Sequence, residues 1–261
     1  MAQISLSPAA AALARGPARQ RKIRIFTMLG IWAIWEIVAY SGLLFEGVVP
    51  SSLAIFVALF SELFRGTFYL HLGITLGEVF SGFIIAAFVG IGLGIWMGAR
   101  RFFGKAVDLY IGSLGATPKI IFLPIVMIFF GVGPESKTAM AVIAGFFPIA
   151  INTYVGMLEI PPVMIKVGKS FNLTHWQMVQ KIYVPSLYRP IVVGMRLGLG
   201  GCFIITVLSE AKIANHGIGN LAIDYYNNYQ MAEMYAVLVL IFVMAGASNY
   251  GLSLLANRSR T

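Results

Sequence analysis

The stretch "ITLGEVFSGFIIAAFVGIGLGIWM", residues Ile74–Met97, decides the fold class of this sequence. It is longer than the roughly 20 residues that cross the hydrocarbon of a bilayer, and Glu78 is its only charged residue. Small residues recur at every fourth position along it, a spacing that lets membrane helices approach closely. They are Gly82, Ala86, Gly90, Gly94 and, just beyond the stretch, Gly98. The stretch therefore predicts a membrane-spanning helix that packs against other helices.

The whole chain is as apolar as a membrane protein, since 59% of its residues are hydrophobic and only 11% are charged. Soluble domains carry about 25% charged residues. Six segments are long and apolar enough to span a bilayer: Phe26–Leu44, Ile74–Met97, Val107–Gly131, Thr138–Leu158, Tyr188–Leu208 and Tyr235–Ala256. The shorter amphipathic stretch Pro50–Arg65 predicts an interfacial helix. We therefore expect an all-α membrane protein with six transmembrane helices.

The net charge of +9 comes from short basic clusters between the apolar runs. This distribution argues against a nucleic-acid-binding face. The excess of Lys and Arg in alternate loops places both termini and the segment 159–187 in the cytoplasm. We expect a disordered basic tail over residues 1–25, a first span and outer interfacial helix over 26–69, and a membrane core over 70–257. A cleaved transit peptide is the alternative for the tail.

The inner segment 159–187 is rich in structural signals. Pro161 and Pro162 end the preceding helix, and Asn172 suits the left-handed position after a helix. Thr174 followed by Gln177 matches a capping box. Pro185 is expected to end the helix that begins there. The segment therefore predicts two short amphipathic helices, which either dock a partner or anchor the chain in the lipid interface.

Four stretches carry a resemblance to a known family. They are "MIKVGKSFNLTHWQMVQKIYVPSLYRPIVVGMRLGLG" from Met164, "TPKIIFLPIVMIFFGVGPESK" from Thr117, "GFFPIAINTYVGM" from Gly145 and "LSEAKIANHGIGNLA" from Leu208. Together they resemble permease subunits of binding-protein-dependent ABC importers of the nitrate/sulfonate/taurine/bicarbonate branch. The family's cytoplasmic loop opens with Glu-Ala-Ala, where this chain has Lys166, Val167 and Gly168. The family's glycine is Asn172 here, and the closing Ile-x-Leu-Pro is Ile182 to Pro185.

This resemblance implies a type I ABC importer permease in the bacterial inner membrane. It implies a homodimer of permease chains, two ATP-binding subunits that hold ATP and Mg, and a soluble binding protein that delivers a small anionic solute. The loop would couple the spans to the ATPase. The residues expected to do so are Lys166, Lys169, Phe171, Asn172, Trp176, Ile182 and Pro185.

Five residues are candidates for the translocation path or its gate. A proline inside a span frees a backbone carbonyl, and an ionisable residue there suggests function. The candidates are Pro118, Lys119, Pro124, Arg196 and Glu210. Simple kinking of a helix and structural pairing of a charge are the alternatives. No phosphate-binding loop, catalytic triad or metal-ligand spacing occurs in the sequence, so we expect a non-catalytic chain that binds no cofactor or metal. A secondary transporter or channel without an ATPase is the other functional hypothesis.

Overall fold

The computed structural model describes residues 8–42 and 48–258, and it contains helices but no strand within those ranges. The α-helices are α1 (Pro8–Tyr40), α2 (Ser52–Leu63), α3 (Gly66–Ala99), α4 (Arg101–Ala116), α5 (Leu123–Phe130), α6 (Pro134–Leu158), α7 (Pro162–Ser170), α8 (His175–Met178), α9 (Val184–Ile213), α10 (Ile218–Asn227) and α11 (Met231–Arg258). A 3-10 turn at Lys119–Phe122 precedes α5, and a π turn at Val179–Tyr183 joins α8 to α9.

Within the described residues, five continuous helical stretches are long and apolar enough to cross a membrane. They lie at Arg21–Tyr40, Gly66–Ala99, Pro134–Leu158, Trp176–Ile213 and Met231–Leu254. The third predicted span, Val107–Gly131, is instead a pair of helices bent by 95°. The bend follows from Pro118, which has no N–H and holds Thr117 in an extended conformation. The structure therefore has six spans when the bent pair is counted as one.

The chain before the core differs partly from the sequence expectation. Helix α1 begins at Pro8, so residues 8–25 are helical where a disordered tail was expected. The run of alanines from Ala9 to Ala12 accounts for this, because alanine has the highest helix propensity. Residues 1–7 lie outside the described part of the chain. Helix α2 is too short to span a bilayer, as the interfacial interpretation of Pro50–Arg65 requires.

Helices α3, α6 and α9 form the centre of the bundle, and small residues set their separation. A Cβ atom at Gly82 would lie 2.5 Å from the Cβ of Ala141, and one at Gly94 would lie 2.6 Å from the Cβ of Thr153. On α9, a Cβ at Gly198 would lie 3.0 Å from the carbonyl oxygen of Gly145. No side chain larger than hydrogen fits at these crossings. The predicted packing role of the glycine ladder is confirmed.

The bundle has two distinct ends. At one end, the corner between α3 and α4 lies beside α7, because Arg100 and Ile165 line the same cavity. We call this the basic end. At the other end, α10 packs against the start of α3, where Gly217 N–H donates to Nδ1 of His71 at 3.0 Å. We call this the opposite end.

Candidate functional site

The first candidate site is a projecting elbow at the basic end, formed by residues 162–183. Helix α7 ends at Ser170, and Asn172 then takes a left-handed conformation with φ of 51°. The chain reverses there, with Leu173 N–H donating to the Gly168 carbonyl at 3.0 Å. The left-handed role predicted for Asn172 is confirmed.

The second arm of the elbow starts with the predicted capping box. Thr174 N–H donates to Oε1 of Gln177 at 2.9 Å, and Gln177 N–H donates to Oγ1 of Thr174 at 3.3 Å. These bonds satisfy backbone donors that the first turn of a helix leaves free. The capping box is therefore confirmed, and α8 begins one residue after Thr174.

The prediction that Pro185 ends this second helix is wrong. The helix passes through the π turn and continues as α9, so that Trp176–Ile213 forms one helical stretch. Val184 N–H bonds to the carbonyl of Val179, five residues back. Pro185 has no N–H to donate, but it lies in the first turn of α9, directly after the change from π to α hydrogen bonding. A missing donor disrupts a helix least in its first turn.

The residues predicted to couple to an ATPase fall into two groups, one facing the inside of the elbow and one facing outward. Gly168 lies against the second arm, because a Cβ there would clash with Sδ of Met178 and lie 2.6 Å from Cδ1 of Ile182. Ile182 therefore faces the inside of the elbow. Other predicted side chains point outward and are exposed: Lys166, Lys169, Phe171, Asn172, Trp176 and Pro185.

The outer surface of the elbow is unusually apolar. Phe171 is 75% exposed and Trp176 is 67% exposed. Val163 and Met164 continue the same exposed surface along α7. An apolar patch rimmed by lysines is typical of an interaction surface. The geometry alone is compatible with either a protein partner or lipid.

The second candidate site is a cavity of about 590 Å³ beside the bend in the third span. It is lined by residues of the bend, of α6 and of α9, which include Gly115, Pro118, Lys119, Phe147, Pro148, Asn152, Leu197 and Gly201. No acidic side chain is among its lining residues. Its walls are mostly apolar, with one cation and one amide as the polar groups that a solute would meet.

Lys119 is held at this cavity by the broken helix itself. Its Nζ donates to the carbonyl of Thr117 at 2.7 Å and also to that of Gly115. The ammonium lies 5.4 Å from the centre of the Phe147 ring, in cation–π contact. Backbone carbonyls left free by the bend thus hold the cation in place.

The five predicted path residues do not form one site. The cavity brings together Pro118 and Lys119, whereas Pro124 lies in the first turn of α5 and is exposed. Arg196 faces α11, where its Nε donates to Oδ1 of Asn249 at 2.9 Å. It therefore does not line this cavity.

Glu210 lies in a closed polar cluster at the opposite end. It is fully buried. Its Oε1 accepts from Oγ1 of Thr75 at 2.6 Å, and its Oε2 accepts from Gly219 N–H at 2.8 Å. Thr75 Oγ1 in turn accepts from Ile218 N–H at 2.9 Å. Glu210 thereby fixes the start of α10 to both α9 and α3.

A second polar cluster at the opposite end, formed by Glu62, Arg65 and Tyr225, joins α2 to α10. We call it the clasp. The Tyr225 hydroxyl donates to Oε1 of the buried Glu62 at 2.8 Å, and Arg65 pairs with the same oxygen at 2.8 Å. Burial raises the pKa of Tyr225 to about 12, and the neighbouring Glu62 carboxylate adds to this effect. Glu62 and the hydrogen bond to Tyr225 raise the pKa of Arg65. Tyr225 therefore keeps its phenol proton at physiological pH and remains the donor to Glu62.

Sequence reasoning missed Phe147 and Asn152 at the cavity and the whole Glu62 clasp. The partners are far apart in the chain, so no local spacing connects them. Pro148 and Asn152 within a predicted span were the one signal available for the cavity. Among the described residues, no three His, Cys, Asp or Glu side chains are grouped as a metal site requires.

Comparisons with known proteins agree on one family. The model of the binding-protein-dependent transport system inner membrane component matches residues 90–258. SsuC of Bacillus subtilis, named for aliphatic sulfonates transport, is 26% identical over 220 residues, which cover 83% of this chain and 78% of SsuC. The nitrate import permease NrtB of Synechocystis is 32% identical over 169 residues, which cover 65% of this chain and 61% of NrtB. The taurine transport permease TauC of Escherichia coli is 26% identical over 206 residues, which cover 77% of this chain and 75% of TauC.

A solved structure shares the fold. A chain of the inward-facing MetNI methionine ABC transporter matches with a TM-score of 0.64 at 18% identity. The match covers 74% of this chain and 95% of the MetNI chain. At this level of identity the likeness shows the fold, and it confirms the expected type I importer architecture.

Proposed function

Because this chain belongs to the family of binding-protein-dependent transport system inner membrane components, we propose that it forms the solute path of an ATP-driven importer for a small anion. The chain is a multi-pass, non-catalytic permease subunit, and its relatives place it in the nitrate/sulfonate/taurine/bicarbonate branch. The solute, the coupling mechanism and the partner subunits are the parts that we propose.

The elbow supports coupling to an ATPase. Its exposed Phe171 and Trp176 lie outside the bundle, on a segment whose two arms are fixed to each other at Gly168. The second arm continues without a break into α9. A movement imposed on Trp176 is therefore transmitted directly along a spanning helix. Lys166 stands where the family resemblance leads us to expect an acid, and Lys169 follows three residues later, so the partner surface should carry carboxylates near them.

The cavity at the bend supports a path for an anion. Lys119 provides the positive charge, and no carboxylate among the lining residues opposes a negative solute. The aromatic ring of Phe147 and the Asn152 amide complete the lining. In a homodimer, two such cavities facing each other would form a continuous path, with Pro118 allowing the bend to change angle. Arg196 and Glu210 would act in this scheme by holding helices in place, and Pro124 by starting α5.

The names of the relatives suggest which solutes to test. Relatives are named for aliphatic sulfonates, nitrate, bicarbonate and taurine. All four carry an anionic group at neutral pH. We therefore propose a small oxyanion or sulfonate as the solute class.

The function is tested with the complex reconstituted in liposomes together with its ATPase and binding protein. We expect ATP hydrolysis to rise when nitrate, bicarbonate or an alkanesulfonate is added, and the labelled solute to accumulate only with ATP. Lys119→Met should lower transport about ten-fold or more, since an anion then loses its only charged partner in the cavity. Lys212→Met, which removes an exposed lysine at the opposite end, is the matched control and should leave transport unchanged.

Accumulation of solute without ATP would support the secondary transporter instead. Equal transport by the Lys119 and Lys212 variants would remove Lys119 from the path and leave the importer assignment intact. The two parts of the proposal are therefore tested separately.

A further inference from the structure

The corner between α3 and α4 contains a pair of adjoining cavities that are separate from the solute path. Their volumes are about 770 Å³ and about 340 Å³. They adjoin each other at Arg101, Phe102 and Leu158, which line both of them, and we call the pair the groove. The groove lies at the basic end and extends to the elbow, where Ile165 and Tyr183 line it.

The groove carries a concentrated positive charge. Arg100 and Arg101 line its larger part and Lys105 lines the smaller part, and all three side chains are exposed. The sequence has no acid between Glu78 and Asp108. In the described part of the chain the one ion pair is between Arg65 and Glu62, so none of these three cations forms an ion pair with an acid there.

The other elements around the groove add little negative charge. Asp108 lies on α4 one turn beyond Lys105, and Glu159 follows the last residue of α6. Helix α7, which packs beside the groove, carries lysines and no acid. The groove is therefore a cationic site with two acids at its margins.

The walls of the groove are apolar and aromatic. Phe102 is 91% exposed, which is unfavourable in water for a side chain of that size. The rings of Trp96 and Phe103 stack with their centres 4.1 Å apart. A soluble phosphate would contact the cations and leave these rings unused. The ligand that fits both surfaces has an anionic head and a long apolar part.

The position of the groove identifies the source of such a ligand. The spanning helix α3 ends at Ala99, and the three cations follow within the next six residues. Side chains at the end of a span lie at the depth of lipid headgroups, where tryptophan and basic residues are favoured. The corner is also rigid, since Gly104 N–H donates to the Arg100 carbonyl at 2.8 Å and a Cβ at Gly104 would clash with the carbonyl oxygen of Met97.

We propose that this groove binds one anionic phospholipid, with its phosphate on Arg100, Arg101 and Lys105 and its acyl chains along Phe102 and Trp96. The bound lipid also lies against Ile165 and Tyr183 of the elbow. The lipid thereby braces the elbow against the α3–α4 corner. The proposal depends on membrane embedding alone and does not require the elbow to dock an ATPase.

The test uses the full-length chain in the complex in which it purifies, placed in nanodiscs of phosphatidylcholine with increasing phosphatidylglycerol. Native mass spectrometry counts the phosphatidylglycerol that each chain retains. We expect saturable retention by the wild type and about ten-fold weaker retention by R100Q/R101Q/K105Q, since the phosphate then loses the three cations of the groove. R21Q/K22Q/R24Q removes the same charge from α1, which contributes no lining residue to the groove, and should keep the saturable retention of the wild type.

Three further results decide the proposal. F102S should weaken retention of phosphatidylglycerol while leaving the cations in place. Displacement of the lipid by millimolar sn-glycerol 3-phosphate would show a soluble-phosphate site and overturn the proposal. Loss of an ATPase subunit from R100Q/R101Q/K105Q with lipid retention unchanged would show a protein contact and overturn it equally. If the triple variant fails to fold, the single variant R101Q and the titration of the wild type still test the proposal. A wild type that retains no phosphatidylglycerol saturably would contradict it.

Discussion

Gly94 stands where helix α3 crosses α6, and the crossing leaves no room for a side chain. A Cβ at this position would meet the carbonyl of Ala150 at 2.7 Å as well as Thr153. Backbone cannot move aside without separating the two helices. Close approach of this kind is the main source of helix association in membranes, where lipid is as apolar as the helix surfaces.

Gly94→Val should therefore destabilise the bundle by about 1–3 kcal/mol or more, the scale of overpacking in a well-packed core. Gly92→Val is the matched control, since nothing lies within 4 Å of a Cβ there. Thermal unfolding in detergent compares the two. A Gly94→Val protein that unfolds at the temperature of the Gly92→Val protein would contradict the close crossing.

Tyr225 gives the structure a defined response to alkaline pH. Its folded pKa of about 12 exceeds the value of about 10 of an unfolded tyrosine. The folded state therefore holds the phenol proton more tightly, and the clasp stabilises fully below about pH 10. This contribution is lost as the pH rises through 12.

We expect Tyr225→Phe to lower stability by about 1–2 kcal/mol at neutral pH, because Glu62 loses a hydrogen bond inside the protein. The difference from the wild type should shrink above pH 10. Tyr226→Phe, at an exposed neighbour, should unfold like the wild type throughout. Unfolding temperatures of the three proteins from pH 7 to pH 11 make the comparison, and a difference that grows with pH would refute the assignment.

At the scale of elements, the elbow depends on the left-handed Asn172. Asn172→Gly should keep the reversal, whereas Asn172→Val should cost about 1–2 kcal/mol, since a β-branched residue is strained there. Hydrogen exchange of the Leu173 amide, which bonds to Gly168, reports the change directly. Exchange should quicken in Asn172→Val and stay slow in Asn172→Gly. Ser170→Val, inside the helical end of α7, serves as the control; equally fast exchange in it would mean that φ at Asn172 is not the cause.

Local chemistry made several elements predictable. The capping box at Thr174 and the turn at Asn172 need only neighbouring residues. Hydropathy over 20 residues predicts the span Ile74–Met97, which lies within the helix Gly66–Ala99. The π turn before Pro185 was not predictable in this way. A proline usually ends a helix, and only the register change at Val184 allows the helix to continue. At Pro118 the sequence predicts a break in the helix, but it does not determine the 95° angle.

The candidate sites also combine features that the sequence predicts with features that only the packing of distant helices determines. Exposure of Phe171 and Trp176 follows from amphipathic patterning, so the elbow could be expected from the sequence. Lys119 lines one cavity together with Phe147 and Asn152 because of the way α6 packs against the bend. Pairing of Arg196 with Asn249 depends on the approach of α11. Long-range placement of this kind has no signature in the spacing of one sequence.

For the whole molecule, the central claim is that the elbow joins the membrane bundle to an ATPase. The exposed aromatic pair would supply the binding energy, since buried aromatic anchors dominate protein interfaces. Its continuity with α9 would carry motion into the membrane. The claim therefore predicts that charge on the elbow separates the subunits while the bundle stays folded.

The most direct measurement is copurification of the ATPase subunit with F171E/W176E. Y226E/Y229E places the same charges on exposed aromatics at the opposite end and is the matched control. Both variants should keep the unfolding temperature of the wild type. We predict that F171E/W176E loses the ATPase and that Y226E/Y229E retains it. Full retention of the ATPase by a folded F171E/W176E protein would contradict docking through the elbow.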